Sequence, residues 1–393
     1  MRVRCPCPSH TPILILQLVL LSPIGVTAQV TALDFTGPPN GRLTNEFGNV
    51  HDVYPLGDGR VAVLDRVEQD ILLADFSADR VTPAARKGSG PSEYRNPGWL
   101  APGPDGGLTT FDMGLQVLHR LGRSGRIVET IPGTRSPVQF AVPFGADSLG
   151  GIYYRPIEGL ARARGQLTEA EGIPIVRWDT YRNTVDTVAR VPPTPLIVQQ
   201  RGNPGGGMSM TSQTPPLPRI TAVAILPEGG VTLIHPEPYR QERAAIHGRL
   251  VAGPIIPYES IRVTEADKRT AREAESRSRR GGTGISSTPR PGSGAPLSTR
   301  STSELPWPDT KPPFQQDPLR TALISPQGEV WMLRSNAADD PVPRYDIIDR
   351  EGRRTAIATL RPNARVVGFG PGMVYVASTD PETGLVHLDR YQR

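Results

Sequence analysis

Between Lys87 and Arg126 the chain sets short apolar segments apart by turn-forming residues, and this spacing constrains the fold more than any other feature. Gly88, Gly90 and Pro91 punctuate a loop, Trp99 to Ala101 opens a short apolar strand, and Pro104-Asp105-Gly106-Gly107 supplies a turn before Leu108 to Phe111. A second turn follows Asp112. Leu115 to Leu121 then reads as a third strand, and Arg123-Ser124-Gly125-Arg126 turns the chain into a fourth, Ile127 to Ile131. Four brief strands in ~40 residues match the period of a propeller blade.

The same frame recurs. Asp58-Gly59 precedes Val61 to Leu64 and Asp65, and Asp58 and Asp65 are seven residues apart, as are Asp105 and Asp112. Glu228-Gly229-Gly230 precedes Val231 to Ile234 and His235; Gln327-Gly328-Glu329 precedes Val330 to Leu333 and Arg334; Gly372-Met373 precedes Val374 to Ala377 and Ser378. A poorer copy runs from Gly150 to Pro156. Pro55, Pro102, Pro143, Pro227 and Pro326 precede the first turns, at strand ends where no ladder donor is needed. The repeats predict an all-β chain, a six-bladed β-propeller, with units at about 49–83, 97–132, 138–191, 219–262, 319–360 and 364–393. Val30 to Phe35 is an alternating segment without a turn partner and is expected to complete the last unit. Such units cannot bury both apolar faces alone, so they stack radially and close into a ring.

The unit at 87–126 resembles an NHL-type repeat, whose pattern runs G-x-G-x-x-F, Pro, an apolar strand, D-G, an apolar strand and Asp. Those places hold Gly88, Gly90, Tyr94, Pro97, Asp105-Gly106 and Asp112, with Tyr in place of Phe. The resemblance implies a six-bladed propeller of the kind found in exported bacterial proteins, and it supports the fold far better than any activity.

Two stretches break the rhythm. Val191 to Pro218 is rich in Pro and Gly and is expected to be a long mobile loop. Residues 257–318 form an insertion between the fourth and fifth units: Thr264-Glu265-Ala266-Asp267 resembles a capping box opening a charged helix through Arg280, and the following Gly-, Ser- and Pro-rich run has the composition of disorder. Trp307 and Phe314 are expected to anchor its return to the body.

Arg2 and Arg4 precede an apolar run from Ile13 to Leu21, and Val26-Thr27-Ala28 suits signal-peptidase cleavage, so residues 1–28 read as a signal peptide and 29–393 as one exported domain, periplasmic or extracellular. The other reading is an uncleaved N-terminal anchor, although the run is shorter than the ~20 residues of a membrane-spanning helix. Both cysteines, Cys5 and Cys7, precede the apolar run, so a cleaved chain has neither disulfides nor a cysteine nucleophile. Cleavage removes two arginines and no acid, taking the formal charge from +5 to +3, too little to argue for nucleic acid.

The residues ending the second strands form a column: Asp65, Asp112, Pro156, His235, Arg334 and Ser378. With Arg66 and Arg155 beside it, a ligand-binding rim of Asp65, Arg66, Asp112, Arg155, His235 and Arg334 is expected, its arginines offering forked donors to an anionic or carbohydrate ligand. The plainer reading is that Asp65 and Asp112 accept turn N–H groups. Some funnel-shaped six-bladed propellers hold calcium or zinc at the channel mouth and hydrolyse lactones or phosphoesters; His51, Asp52 and Asp112 are the residues here that could hold Ca or Zn. No H-x-H, H-E-x-x-H or acidic calcium loop is present, nor a nucleophile elbow or phosphate loop.

With clear repeats and no recognisable catalytic set, the sequence favours a monomeric, non-catalytic binding or scaffolding propeller that recognises a protein, peptide or glycan through one face, without a cofactor. The alternative is a metal-assisted hydrolase or lyase of the funnel-shaped propeller class.

Overall fold

Alternating apolar and polar residues in short runs, broken by turn residues, favour strands paired to their sequence neighbours. The computed structural model describes residues 30–138, 141–158, 172–202, 208–280, 306–315 and 322–393. β1 (Thr31–Phe35) and β2 (Gly41–Phe47) open the chain and pair with strands far along it. β3 (Val50–Pro55), β4 (Val61–Asp65), β5 (Asp70–Asp75) and β6 (Arg80–Pro83) follow as an antiparallel meander, and then a small pair, β7 (Arg86–Lys87) and β8 (Glu93–Tyr94). The next sheet holds β9 (Pro97–Pro102), β10 (Leu108–Asp112), β11 (Val117–Leu121) and β12 (Ile127–Pro132), and the one after it β13 (Ala141–Ala146), β14 (Gly151–Pro156), β15 (Ile173–Asp179) and β16 (Thr184–Val191).

β17 (Ile197–Gly202) and β18 (Met208–Gln213) form a two-stranded hairpin, in register from Ile197 opposite Gln213 to Gly202 opposite Met208. This corrects the expectation of a long mobile loop over 191–218: two strand-compatible segments flank the Gly-rich stretch, which leaves them free to pair. A further meander contains β19 (Ala222–Ile225), β20 (Val231–Pro236), β21 (Tyr239–Ala244) and β22 (Val251–Ile255). Helix α1 (Glu265–Arg280) leads on to β23 (Ala322–Ile324), β24 (Val330–Leu333), β25 (Arg344–Ile348) and β26 (Arg354–Leu360), and the chain ends in β27 (Ala364–Gly370), β28 (Met373–Thr379) and β29 (Val386–Gln392).

The described chain is all-β apart from α1 and short 3-10 turns, and its arrangement is propeller-like. The sheets do not divide into six separate ones: β2-β29-β28-β27 and β3-β4-β5-β6 merge into one eight-stranded sheet through a parallel pairing of Gly368 with Val53. Gly368 makes this approach possible, because a Cβ there would lie 2.0 Å from the Val53 carbonyl oxygen.

A second correction concerns the N-terminal strands. β1 adds in parallel to β26 as a fifth strand, whereas β2 is the strand that pairs with the C-terminal β29. In β2 Leu43 and Phe47 are buried in one cluster with Val63 and Leu388, which supplies the apolar contact that places β2 there.

The core lies between strand groups. Leu64 and Leu73 pack with Leu100 and Leu121; Phe111 and Leu118 with Ile152 and Trp178; Tyr153 and Ile175 with Val231 and Leu233. Ile234 and Tyr239 pack with Val330 and Met332, and Trp331 and Tyr345 with Val366 and Val376. Tyr375 and Ala377 return to Val61 and Val63, which completes a circuit.

α1 is capped by Thr264 and Asp267: Asp267 accepts from the Thr264 N–H at 2.8 Å and donates its own N–H to Thr264 Oγ1 at 3.3 Å. Lys311 Nζ joins Asp267 at 2.5 Å and the Asn336 carbonyl at 2.6 Å, and Phe314 is fully buried among Ile234, Tyr239 and Met332. The expected signal peptide and the low-complexity run after Arg280 lie outside the described residues. No helix among the described residues is long and apolar enough to cross a membrane.

Candidate active site in the axial cavity

The first strands of five groups, β3, β9, β13, β19 and β23, line a cavity of about 170 Å³. Trp99, Leu100, Phe144, Val223, Ile225 and Leu323 give it apolar side chains, and His51, Asp52 and Tyr54 on β3 give it polar ones.

Neighbouring residues of a regular strand face opposite ways, so His51 and Asp52 would ordinarily be separated by the sheet. β3 departs from regularity at that point: Val50 pairs with Asp65 but Asp52 pairs with Leu64, leaving His51 as an extra residue. Such a bulge re-aims side chains. His51 Nδ1 lies 2.8 Å from Asp52 Oδ2, and the same oxygen accepts the Leu100 N–H of β9 at 2.9 Å. An ionised carboxylate can only accept, so Nδ1 carries the ring proton and Nε2 presents its lone pair. Arg66 points Nη1 at that lone pair from 3.4 Å. A guanidinium only donates, which agrees with the same tautomer. Both ring and carboxylate are mostly buried, with side chains 10% and 17% exposed. Burial, reinforced by the Asp52 carboxylate, pushes the Tyr54 phenol above its ordinary range, so Tyr54 stays a neutral hydroxyl.

His51, Asp52 and Arg66 are thus brought together, whereas the other candidates are engaged within their own parts of the fold. Asp65 accepts the N–H groups of Gly48, Asn49, Val67 and Glu68, and Asp112 those of Arg95, Asn96, Gly114 and Leu115. Arg155 pairs with Glu158 at 3.0 Å. His235 sits between Glu242, 3.1 Å from Nε2, and Thr221, 3.2 Å from Nδ1. Arg334 lies 3.8 Å from Asp346, which also accepts from the Tyr239 hydroxyl. Trp99 was read from the sequence only as the start of a strand and Tyr54 was not singled out; Trp99 is held by a hydrogen bond from its indole N–H to the Pro143 carbonyl at 3.1 Å.

The residues do not fit a metal. Among the described residues no three His, Cys, Asp or Glu side chains converge as a metal-binding group. Asp112 is fully buried and saturated by four backbone donors, so it does not join His51 and Asp52.

No family model matches the chain, and no curated protein matches it in sequence. Solved structures do resemble it. A gluconolactonase from Xanthomonas campestris is 10% identical, with 92% of this chain and 98% of that one covered at a TM-score of 0.40. Virginiamycin B lyase from Staphylococcus aureus is 11% identical, with 88% and 97% covered at a TM-score of 0.40. A Bacteroides fragilis protein named as exported is 9% identical, with 93% and 100% covered at a TM-score of 0.48. The expectation of a non-catalytic binding protein is corrected at this point: the first two of these proteins are named as enzymes.

Proposed function

We propose that the protein is an exported hydrolase or lyase built on a six-bladed propeller, with His51 as general base in the axial cavity. The blade count is supported by the eight-stranded sheet being two groups of four joined at a single residue pair, and by the closed circuit of apolar contacts. The observation that carries the catalytic reading is the His51 Nδ1 to Asp52 Oδ2 hydrogen bond of 2.8 Å, anchored by the Leu100 N–H in the wall of the axial cavity. Asp52 fixes the ring's orientation and tautomer and stabilises the imidazolium that forms when Nε2 takes a proton.

Both reaction classes share that proton transfer. In hydrolysis, Nε2 takes a proton from water as the water oxygen bonds to an ester or lactone carbonyl carbon. The carbon–oxygen bond to the leaving alkoxide then breaks, and the alkoxide recovers the proton from Nε2. In elimination, Nε2 takes a proton from carbon, the freed electron pair becomes the new double bond, and the leaving group departs with its bonding pair. Neither route calls on a metal ligand set.

The experiment is turnover of a panel of lactones, p-nitrophenyl esters and substrates with a leaving group β to an acidic C–H by the purified protein and by His51→Gln. A general base contributes on the order of 10²- to 10⁴-fold, so His51→Gln should lose at least ~100-fold in kcat/KM at unchanged thermal stability. Turnover unaffected by His51→Gln, or absent from the wild type across lactones, esters and eliminable substrates alike, contradicts the reading.

A further inference from the structure

We infer that the substrate is a small carboxylate with an apolar body, that Arg66 is its receptor, and that binding the carboxylate is what uncovers the base. This deepens the reading of His51 as the base and rests on it. Two observations set the ligand class. The cavity is lined by Tyr54, Trp99, Phe144, Val223, Ile225 and Leu323 and measures about 170 Å³. An apolar cavity of about 150 Å³ accommodates benzene, so one ring or a short branched chain matches the volume of this space.

The second observation is the environment of Arg66. It is exposed, no carboxylate among the described residues pairs with it, and its side-chain contact is the His51 Nε2 lone pair at 3.4 Å. A guanidinium donating to an imidazole makes a weaker and longer contact than one donating in a fork to a carboxylate. A substrate carboxylate arriving at the His51 end of the cavity therefore draws Arg66 away from Nε2. The lone pair is then free for the proton of a water or substrate carbon beside it. A neutral ligand of the same shape gains no such contact and leaves Nε2 covered. Arg66 is in this sense a positioning residue that selects for charge and couples binding to the exposure of the base.

The test uses phenylacetate and its neutral isostere phenylacetamide as probes, with affinity read by calorimetry and the His51 ring nitrogens by NMR. Phenylacetate should bind the wild type at least tenfold more tightly than phenylacetamide and should shift the Nε2 signal. Arg66→Gln should erase both the preference and the shift while unfolding at the wild-type temperature, since the side chain is exposed. Equal binding of the two probes, including no binding of either at millimolar concentration, overturns the inference, as does an Arg66→Gln variant that keeps the preference. His51→Gln separates this inference from the reading beneath it. If that variant binds phenylacetate normally but loses turnover, both stand; if it binds phenylacetate and keeps turnover, the carboxylate receptor stands at Arg66 but the uncovering of a base falls with the base itself.

Discussion

Asp65 and Asp112 make the same four hydrogen bonds in consecutive strand groups. Each carboxylate accepts two N–H groups from the residues just before the group's first strand, Gly48 and Asn49 for Asp65, and Arg95 and Asn96 for Asp112. Each also accepts two from the turn that follows its own strand, Val67 and Glu68 or Gly114 and Leu115. One buried carboxylate thereby closes two loops that would otherwise leave four donors unpaired. In the first of these groups that closure fixes the backbone immediately before the His51 bulge.

Asp112→Ala leaves those donors buried without an acceptor, and hydrogen bonds to a charged group contribute about 1.5–3 kcal/mol each. The expected loss is at least ~3 kcal/mol in urea or guanidinium unfolding, with Asp65→Ala behaving alike and Asn retaining part of the stability in both places. A loss below about 0.5 kcal/mol, typical of a surface substitution, would contradict this role.

Much of this was legible from the residues and some was not. Asp58-Gly59 and Asp105-Gly106 announce two-strand turns because few other residues accept such backbone angles, and the Asp65 and Asp112 spacing follows from strands of equal length. The closing strand was misjudged because the alternation of Val30 to Phe35 is plain in the sequence, while Gly41–Phe47 hides its buried pair, Leu43 and Phe47, among polar neighbours. The His51–Asp52 pair could not be oriented at all from the sequence. Regular alternation puts adjacent side chains on opposite faces, and only the bulge between Val50 and Asp52 reverses that.

Ring closure depends on Asp389. It is fully buried on β29 and accepts Arg42 of β2 in a fork at 2.6 and 2.9 Å, and Arg361, which precedes β27, at 2.7 Å. Removing the carboxylate deletes the charge-assisted hydrogen bonds of two guanidinium groups, 42% and 32% exposed, at the junction of the N-terminal strand with the chain's end. Asp389→Ala should cost about 3 kcal/mol, since water takes over part of what the carboxylate supplied. Arg42→Ala, at a side chain 42% exposed, should cost only about 1 kcal/mol. Denaturant unfolding of the two variants checks the ratio, and equal losses would contradict it.

His119 gives the fold an acid limit. It is almost fully buried, with Nδ1 2.9 Å from Thr130 Oγ1, and burial lowers its pKa despite the Asp112 carboxylate 3.8 Å from Nε2. A histidine whose folded pKa lies below its unfolded value of about 6.5 binds more protons when unfolded. Its neutral form therefore contributes stability above that value, and the contribution is lost as pH falls through it towards the lower folded pKa. Unfolding free energy measured from pH 7.5 down to pH 5 should decline in the wild type and decline less in His119→Gln. Parallel curves would assign the acid sensitivity elsewhere.

The central claim is that a bulge on the first strand turns His51 and Asp52 into one proton-transfer pair. Nitrogen NMR of the His51 ring tests it most directly, because it reports which nitrogen holds the proton. The expected result at neutral pH is a proton on Nδ1, shared with Asp52, and an unprotonated Nε2, with that preference weakened in Asp52→Asn. A proton resident on Nε2 in the wild type would set the Nδ1 lone pair against the carboxylate and contradict the claim.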